Sequence, residues 1–249
     1  MFLTHGQPFV NLDSVIDVGA LLKIRPLLSA FVAQHFHLMQ PARYSQHNLW
    51  SRKIGMFDLY DFYQKNLPAD ADLIPIVQQL KTTNSLGNWC MFEHNVEVGG
   101  LTINLRPTVN MQNKHLSAHC QPLPEDQHFQ VFYQWLDAQQ IFEQYGVVRI
   151  FINLQNTYTM LHKDHSGTDA ATGAEFIWLG LSPHKNLYIY DVESETKVYA
   201  LGVANWFESN NWHGSDPAKQ ACYSIRVDGI FSDHFKQRMA ASQRPSRVS

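Results

Sequence analysis

Between Val147 and Val227 the chain alternates short runs of β-branched and aromatic residues with compact turn sequences, and this pattern narrows the possible folds more than any other feature. The runs are Val147–Met160, Ala174–Leu181, Leu187–Val192, Lys197–Leu201, Ala204–Phe207, the vicinity of Trp212–His213, and Ala221–Val227. Between them lie Ser182-Pro-His-Lys-Asn186, Glu193-Ser-Glu-Thr196, Glu208-Ser-Asn-Asn211 and Asp216-Pro217, all rich in turn-forming residues. Six or more short strands with tight connections predict an antiparallel sandwich or barrel.

The first half has a different period. Val15, Val18, Leu21, Leu22, Ile24, Leu27, Leu28, Phe31, Val32 and Phe36 recur at three- and four-residue intervals, the spacing of a helix face. Pro26 interrupts the run, which predicts two short helices or one kinked helix, with an N-cap in Asn11-Leu-Asp13-Ser14. Such a region suits an outer layer packed on a sheet. Ala69–Thr83 again reads as helix. Trp89–Asn110 reads as a hairpin around Gly99-Gly100, closed by Pro107. Glu125–Tyr145 reads as a helix capped by Gly146, and the chain from about Ser242 as frayed.

A chain of 249 residues fits one large domain, divided as a helical and mixed part (1–145), a strand-rich region (146–235) and a tail (236–249). Hydrophobic residues at 45% against 16% charged bury a sizeable core and argue against disorder. The net charge of −3 offers nothing to a nucleic-acid backbone, and no dense basic cluster stands in its place. Cys90, Cys120 and Cys222 form no C-x-x-C pair, which argues against a zinc ribbon or a redox dithiol. The N-terminal residues lack the pattern of a secretory signal, and no stretch approaches the roughly 18 apolar residues of a membrane span. The expectation is a soluble cytoplasmic protein with no membrane contact.

The chemistry concentrates in Asn156–Asp164, which reads N-T-Y-T-M-L-H-K-D. If the strand runs that far, Asn156, Tyr158, Met160, His162 and Asp164 share one face. An imidazole and a carboxylate two residues apart can grip one metal ion from adjacent corners. A second imidazole from a later strand would complete a two-His-one-carboxylate face with open positions, the set that suits oxygen-activating Fe(II). His213, in N-W-H-G-S-D, stands at a strand–turn junction about fifty residues on. Arg226 lies thirteen residues further, inside C-Y-S-I-R-V. A guanidinium within an apolar strand needs a partner. Asp228 on the same face is one; a ligand carboxylate held by the planar fork is the other, with Ser224 adding a bond. His165 is a rival ligand that strict alternation turns away from His162. His115 and His119 are four apart without a third ligand nearby, and read as a loop or pocket edge.

The order His-x-Asp, about fifty residues, His, about a dozen residues, Arg resembles the Fe(II)/2-oxoglutarate-dependent oxygenase superfamily over roughly Val147–Phe231. The resemblance implies an α+β protein with a double-stranded β-helix (jelly-roll) core and the N-terminal helices packed on it. It implies Fe(II) on His162, Asp164 and His213. It implies 2-oxoglutarate anchored by Arg226, with Ser224, Tyr158 and Asn156 contributing. The implied activity is hydroxylation of a C–H bond in a small molecule or peptide, using O₂. Asp164 argues against a halogenase, whose relatives lack that carboxylate.

Two other readings stand beside it. One is a cupin-like metalloprotein that does not use 2-oxoglutarate. The other is a non-enzymatic β-sandwich binding module with Trp178, Tyr188, Tyr190 and Trp206 as core, lining or platform. Substrate choice in such folds lives in loops, here around 110–121, 166–173 and the first ninety residues.

Overall fold

The apolar run expected at Ala221–Val227 is longer than its pattern indicated. In the computed structural model it becomes strand β10, Cys222–Phe231, buried along nearly its whole length. The structure describes residues 8–35, 40–41, 100–108, 111–153, 159, 175–182, 185–191 and 194–243. Within them the strands are β1 (Phe9–Asn11), β2 (Gln40–Pro41), β3 (Gly100–Asn104), β4 (Phe142–Asn153), β5 (Phe176–Gly180), β6 (Leu187–Asp191), β7 (Thr196–Tyr199), β8 (Ala204–Phe207), β9 (His213–Ser215) and β10. The helices are α1 (Val18–Gln34), α2 (Gln130–Ala138) and α3 (Asp233–Ser242).

Seven described strands form one antiparallel sheet in the order β1-β8-β5-β10-β4-β3-β2, and three form a second in the order β7-β6-β9. After β5 the chain crosses to the small sheet for β6 and β7, returns for β8, crosses again for β9 and ends in β10. That alternation between two sheets is the jelly-roll path. The protein is α+β, with a jelly-roll core and helices packed on one side.

Strand alternation gives the large sheet two unlike faces. Val10, Ile103, Val148, Ile150, Ile152, Ile177, Leu179, Ala204, Trp206, Ile225 and Val227 all point one way and are buried. Helix α1 brings Leu21, Leu28, Phe31 and Val32 to the same core, and α2 brings Phe132, Trp135 and Leu136. Tyr223, also on this face, ties sheet to helix through Ser29 Oγ (2.9 Å) and the Arg25 carbonyl (3.2 Å). Each fully buried aliphatic side chain contributes about 1.5–3 kcal/mol relative to exposure, so this face carries much of the folding energy.

Several local expectations are corrected. At Pro26, where two short helices or one kinked helix were expected, the run forms one helix with Pro26 inside it: losing one backbone bond is outweighed by the apolar stripe. Its N-cap is Asp17, which accepts from Ala20 N (2.8 Å). Asn11 and Asp13 instead staple the β7–β8 turn, Asn11 donating to the Leu201 carbonyl and Asp13 accepting from Val203 N and Ala204 N. The helix expected at Glu125–Tyr145 is a tight 3₁₀ stretch, Pro124–Phe129, followed by α2. Gln140, at φ 52°, then turns the chain into β4, so Phe142 and Tyr145 are strand residues. Gly146 is therefore no helix cap. It lies where the 111–116 loop crosses β4, and a Cβ there would collide with the Lys114 carbonyl. Of the expected tail, 236–249, the part up to Ser242 is helical, and the residues from 244 on lie outside the described ones: Ser232 caps α3, and Phe235 and Met239, one turn apart, are buried. The helix expected at 69–83 and the strand before Gly100 lie outside the described residues.

Candidate functional site

The opposite face of the large sheet looks toward the small sheet, and the polar residues gather there. One row of register partners runs Asn11, Asn205, Trp178, Arg226, Arg149 and Asn104 across β1, β8, β5, β10, β4 and β3. The next row holds Gly180, Ser224, Phe151 and Thr102. From the small sheet, Leu187, Ile189, His213 and Ser215 share a face by the same alternation.

His213 is 4% exposed and begins β9. Its Nδ1 meets the Asn211 carbonyl at 2.8 Å. A carbonyl only accepts, so Nδ1 is the donor, the bond that typically orients a metal-binding imidazole. The turn Glu208–Asn211 positions this carbonyl, and Tyr190 N holds the Trp212 carbonyl at 2.7 Å. Two residues beyond His213, Ser215 is bonded twice to Thr159: Ser215 N donates to the Thr159 carbonyl (3.0 Å) and Thr159 N to Ser215 Oγ (2.8 Å). The chain is thereby fixed beside β9 three residues before His162. His162, Asp164, Tyr158, Asn156 and His165 themselves lie outside the described residues. Among the described residues no three His, Cys, Asp or Glu gather into a metal-binding group.

A file of rings joins His213 to Arg226. The His213 ring is 5.2 Å from Phe207, Phe207 is 5.0 Å from Phe176, and the Arg226 guanidinium stacks 3.9 Å over Phe176. Sequence alternation correctly put Asp228 within reach of Arg226. Arg226 Nε lies 3.2 and 3.1 Å from the two Asp228 oxygens, and Nη2 2.9 Å from Oδ1. Lys114, from the 111–116 loop, adds a second cation at 3.0 Å. Burial alone would raise the Asp228 carboxyl, but Arg226 and Lys114 outweigh it and hold it below the usual carboxylate range.

Among the described residues, four buried polar atoms on this face have no hydrogen-bond partner: Ser224 Oγ, Asn153 Nδ2, and both Nδ2 and Oδ1 of Asn205. Ser224 lies two residues from Arg226 on the same strand face. Lys114, Phe176, Phe207, Asn153 and Asn205 were not singled out from sequence. The signal for Asn205 was present, a carboxamide in the middle of the apolar strand A-N-W-F. The aromatic set divides. Trp178 lines the interior, Trp206 packs on the helix side, and Tyr188 and Tyr190 point away from His213, with Tyr188 against Tyr199 and Lys197. Thr108 and Cys120 form a bridge flanking His115 and His119, which sit in 3₁₀ and turn structure, as expected for a loop.

No protein-family model matches the chain, and no curated protein matches it significantly. Solved structures similar to it include a 2OG-Fe(II) oxygenase-family oxidoreductase from Burkholderia pseudomallei, at TM-score 0.38 and 12% identity over 74% of this chain and 94% of that one. A prolyl hydroxylase from Trichoplax adhaerens, in complex with a peptide of hypoxia inducible factor, is similar at TM-score 0.35 and 11% identity over 90% and 96%. A cupin domain from Bordetella pertussis is similar at TM-score 0.26 and 12% identity over 37% and 88%. No described helix is long and apolar enough to cross a membrane.

Proposed function

We propose that this protein is an Fe(II)- and 2-oxoglutarate-dependent dioxygenase that hydroxylates a C–H bond of a small molecule or of an amino-acid or peptide substrate. The carrying observation is His213, a buried imidazole inside the jelly roll whose Nδ1 is committed to a backbone carbonyl. In this reading Nε2 is the ligating nitrogen. His162 and Asp164 complete the ligand set in this reading, and the Thr159–Ser215 bonds support it by holding the preceding chain beside β9.

In this reading the same face also holds the dicarboxylate. Arg226 supplies positive charge on the β10 face, and Ser224 Oγ beside it is a buried hydroxyl awaiting a partner. Tyr158 and Asn156 are the remaining contacts. Bound together, iron and 2-oxoglutarate would supply oxidation of a C–H bond coupled to conversion of the co-substrate to succinate and CO₂. The chain's own part is to fix the tautomer of His213, orient the co-substrate through Arg226, and exclude water with Phe176 and Phe207.

One observation favours a second reading. Asp228 already occupies Nε and Nη2 of Arg226, as a purely structural ion pair would, which suits a cupin-like metalloprotein without 2-oxoglutarate. Anaerobic Fe(II) titration with and without 2-oxoglutarate separates the two. The oxygenase reading expects one equivalent of metal, binding weakened at least tenfold in His213→Ala, and tighter metal binding when 2-oxoglutarate is present. Metal binding indifferent to 2-oxoglutarate selects the cupin-like reading.

A further inference from the structure

We propose that Lys114 is a positioning residue for the 2-oxoglutarate of the proposed function: it neutralises Asp228, the carboxylate that holds Arg226, so that the same guanidinium can hold a second carboxylate. The inference rests on that reading. Asp228 grips Arg226 along one edge, through Nε (3.2 and 3.1 Å) and Nη2 (2.9 Å), and the Phe176 ring lies 3.9 Å from the guanidinium on one face. A planar fork held by one edge and one face has its Nη1–Nη2 edge fixed in direction. The grip orients the anchor, but it also places a carboxylate beside the group that is to bind one. Burial opposes ionisation of Asp228, yet Arg226 and Lys114 outweigh it, so the negative charge is present. Like charges a few ångströms apart in a buried site repel strongly.

Lys114 resolves that conflict. Its Nζ lies 3.0 Å from Asp228 Oδ1, the same oxygen that accepts from Arg226 Nη2. Lys114 and Asp228 are both buried, so mobile ions screen little of this interaction. An ion pair serving stability alone would be complete with Arg226 and Asp228, and a third buried charge adds desolvation cost. The fold nevertheless commits backbone to delivering it. Val147 N donates to the Lys114 carbonyl at 2.8 Å, and Gly146 leaves room for that carbonyl where a Cβ would collide. Lys114 acts through Asp228 and needs no contact with the co-substrate.

The test follows succinate formation by the full-length protein with Fe(II), ascorbate and O₂ across a range of 2-oxoglutarate concentrations, in wild type, Lys114→Met and Lys114→Arg. Lys114→Met should raise the KM for 2-oxoglutarate about tenfold while kcat stays within about twofold of wild type. Lys114→Arg, which restores the charge, should bring KM back to within about threefold. Anaerobic Fe(II) affinity without 2-oxoglutarate should be the same in all three. A merely structural role would lower kcat and metal affinity as well. If Lys114→Met does not fold, Lys114→Gln takes its place. Wild-type protein that forms no succinate overturns the proposed function and this inference with it. Wild-type turnover combined with an unchanged KM in Lys114→Met, a loss confined to kcat, weakened Fe(II) binding in that variant, or no recovery in Lys114→Arg overturns this inference alone.

Discussion

The two faces of the large sheet are built from the same strands, yet they obey opposite rules. On the helix side, Ile225, Val227, Ile150 and Leu179 meet α1 and α2, and no buried polar side-chain atom among the described strand residues there is left unpaired. On the interior side, one row apart along each strand, stand an ion triad, an unpartnered hydroxyl and two incompletely satisfied carboxamides. One face is finished by folding. The other is left with polar groups that folding does not satisfy, the mark of a surface selected for something besides stability.

This contrast can be broken by substitution. The largest stability loss should come from Asp228→Ala, which leaves Arg226 and Lys114 together in the interior without their carboxylate: about 3–5 kcal/mol by urea denaturation. Its pH dependence has a definite sign. The folded-state pKa of Asp228 lies below its unfolded value, near 4, so the pair's contribution is fully present above that value and fades as pH falls through the folded pKa. The stability gap between the wild type and Asp228→Asn should therefore narrow in acid, below about pH 4. A gap independent of pH would show that Asp228 is not ionised in the fold.

Ile225→Ala, on the helix face, should cost about 2–5 kcal/mol through the cavity it leaves. Gly180→Ala should cost about 1–3 kcal/mol by displacing the Trp178 indole, and the shift should register in tryptophan fluorescence. Ser224→Ala is the smallest expected change and the most telling. Removing an unpartnered hydroxyl should alter stability by no more than about 0.5 kcal/mol in either direction, while weakening 2-oxoglutarate binding measured by calorimetry. A large stability loss there would make the interior face structural, like its opposite.

Strand alternation made much of this legible in the sequence. The seven β-rich runs all contain strands, and period-two counting from Arg226 picked out Ser224 and Asp228 as its neighbours. What stayed hidden had physical causes. The aromatic and apolar residues of Glu125–Tyr145 satisfy helical spacing, but a positive φ at Gln140 ends the helix, and no pattern of hydrophobicity encodes that turn. Lys114 reaches Asp228 from a loop 114 residues away in the chain, a contact that depends on Gly146 letting the loop approach β4. Asn205 was readable as an anomaly, but that neither of its polar atoms has a partner emerges only in the fold. The expected metal pair His162 and Asp164 lies outside the described residues.

In the proposed function, the unfinished face holds 2-oxoglutarate beside a metal bound by His213. Its most direct test is succinate formation from 2-oxoglutarate by the purified protein with Fe(II), ascorbate and O₂, before any substrate is added. Succinate release should be slow and iron-dependent, disappear in His213→Ala and need a higher 2-oxoglutarate concentration in Arg226→Ala. Iron-loaded wild-type protein that leaves 2-oxoglutarate unchanged, or succinate release that persists in His213→Ala, would contradict it.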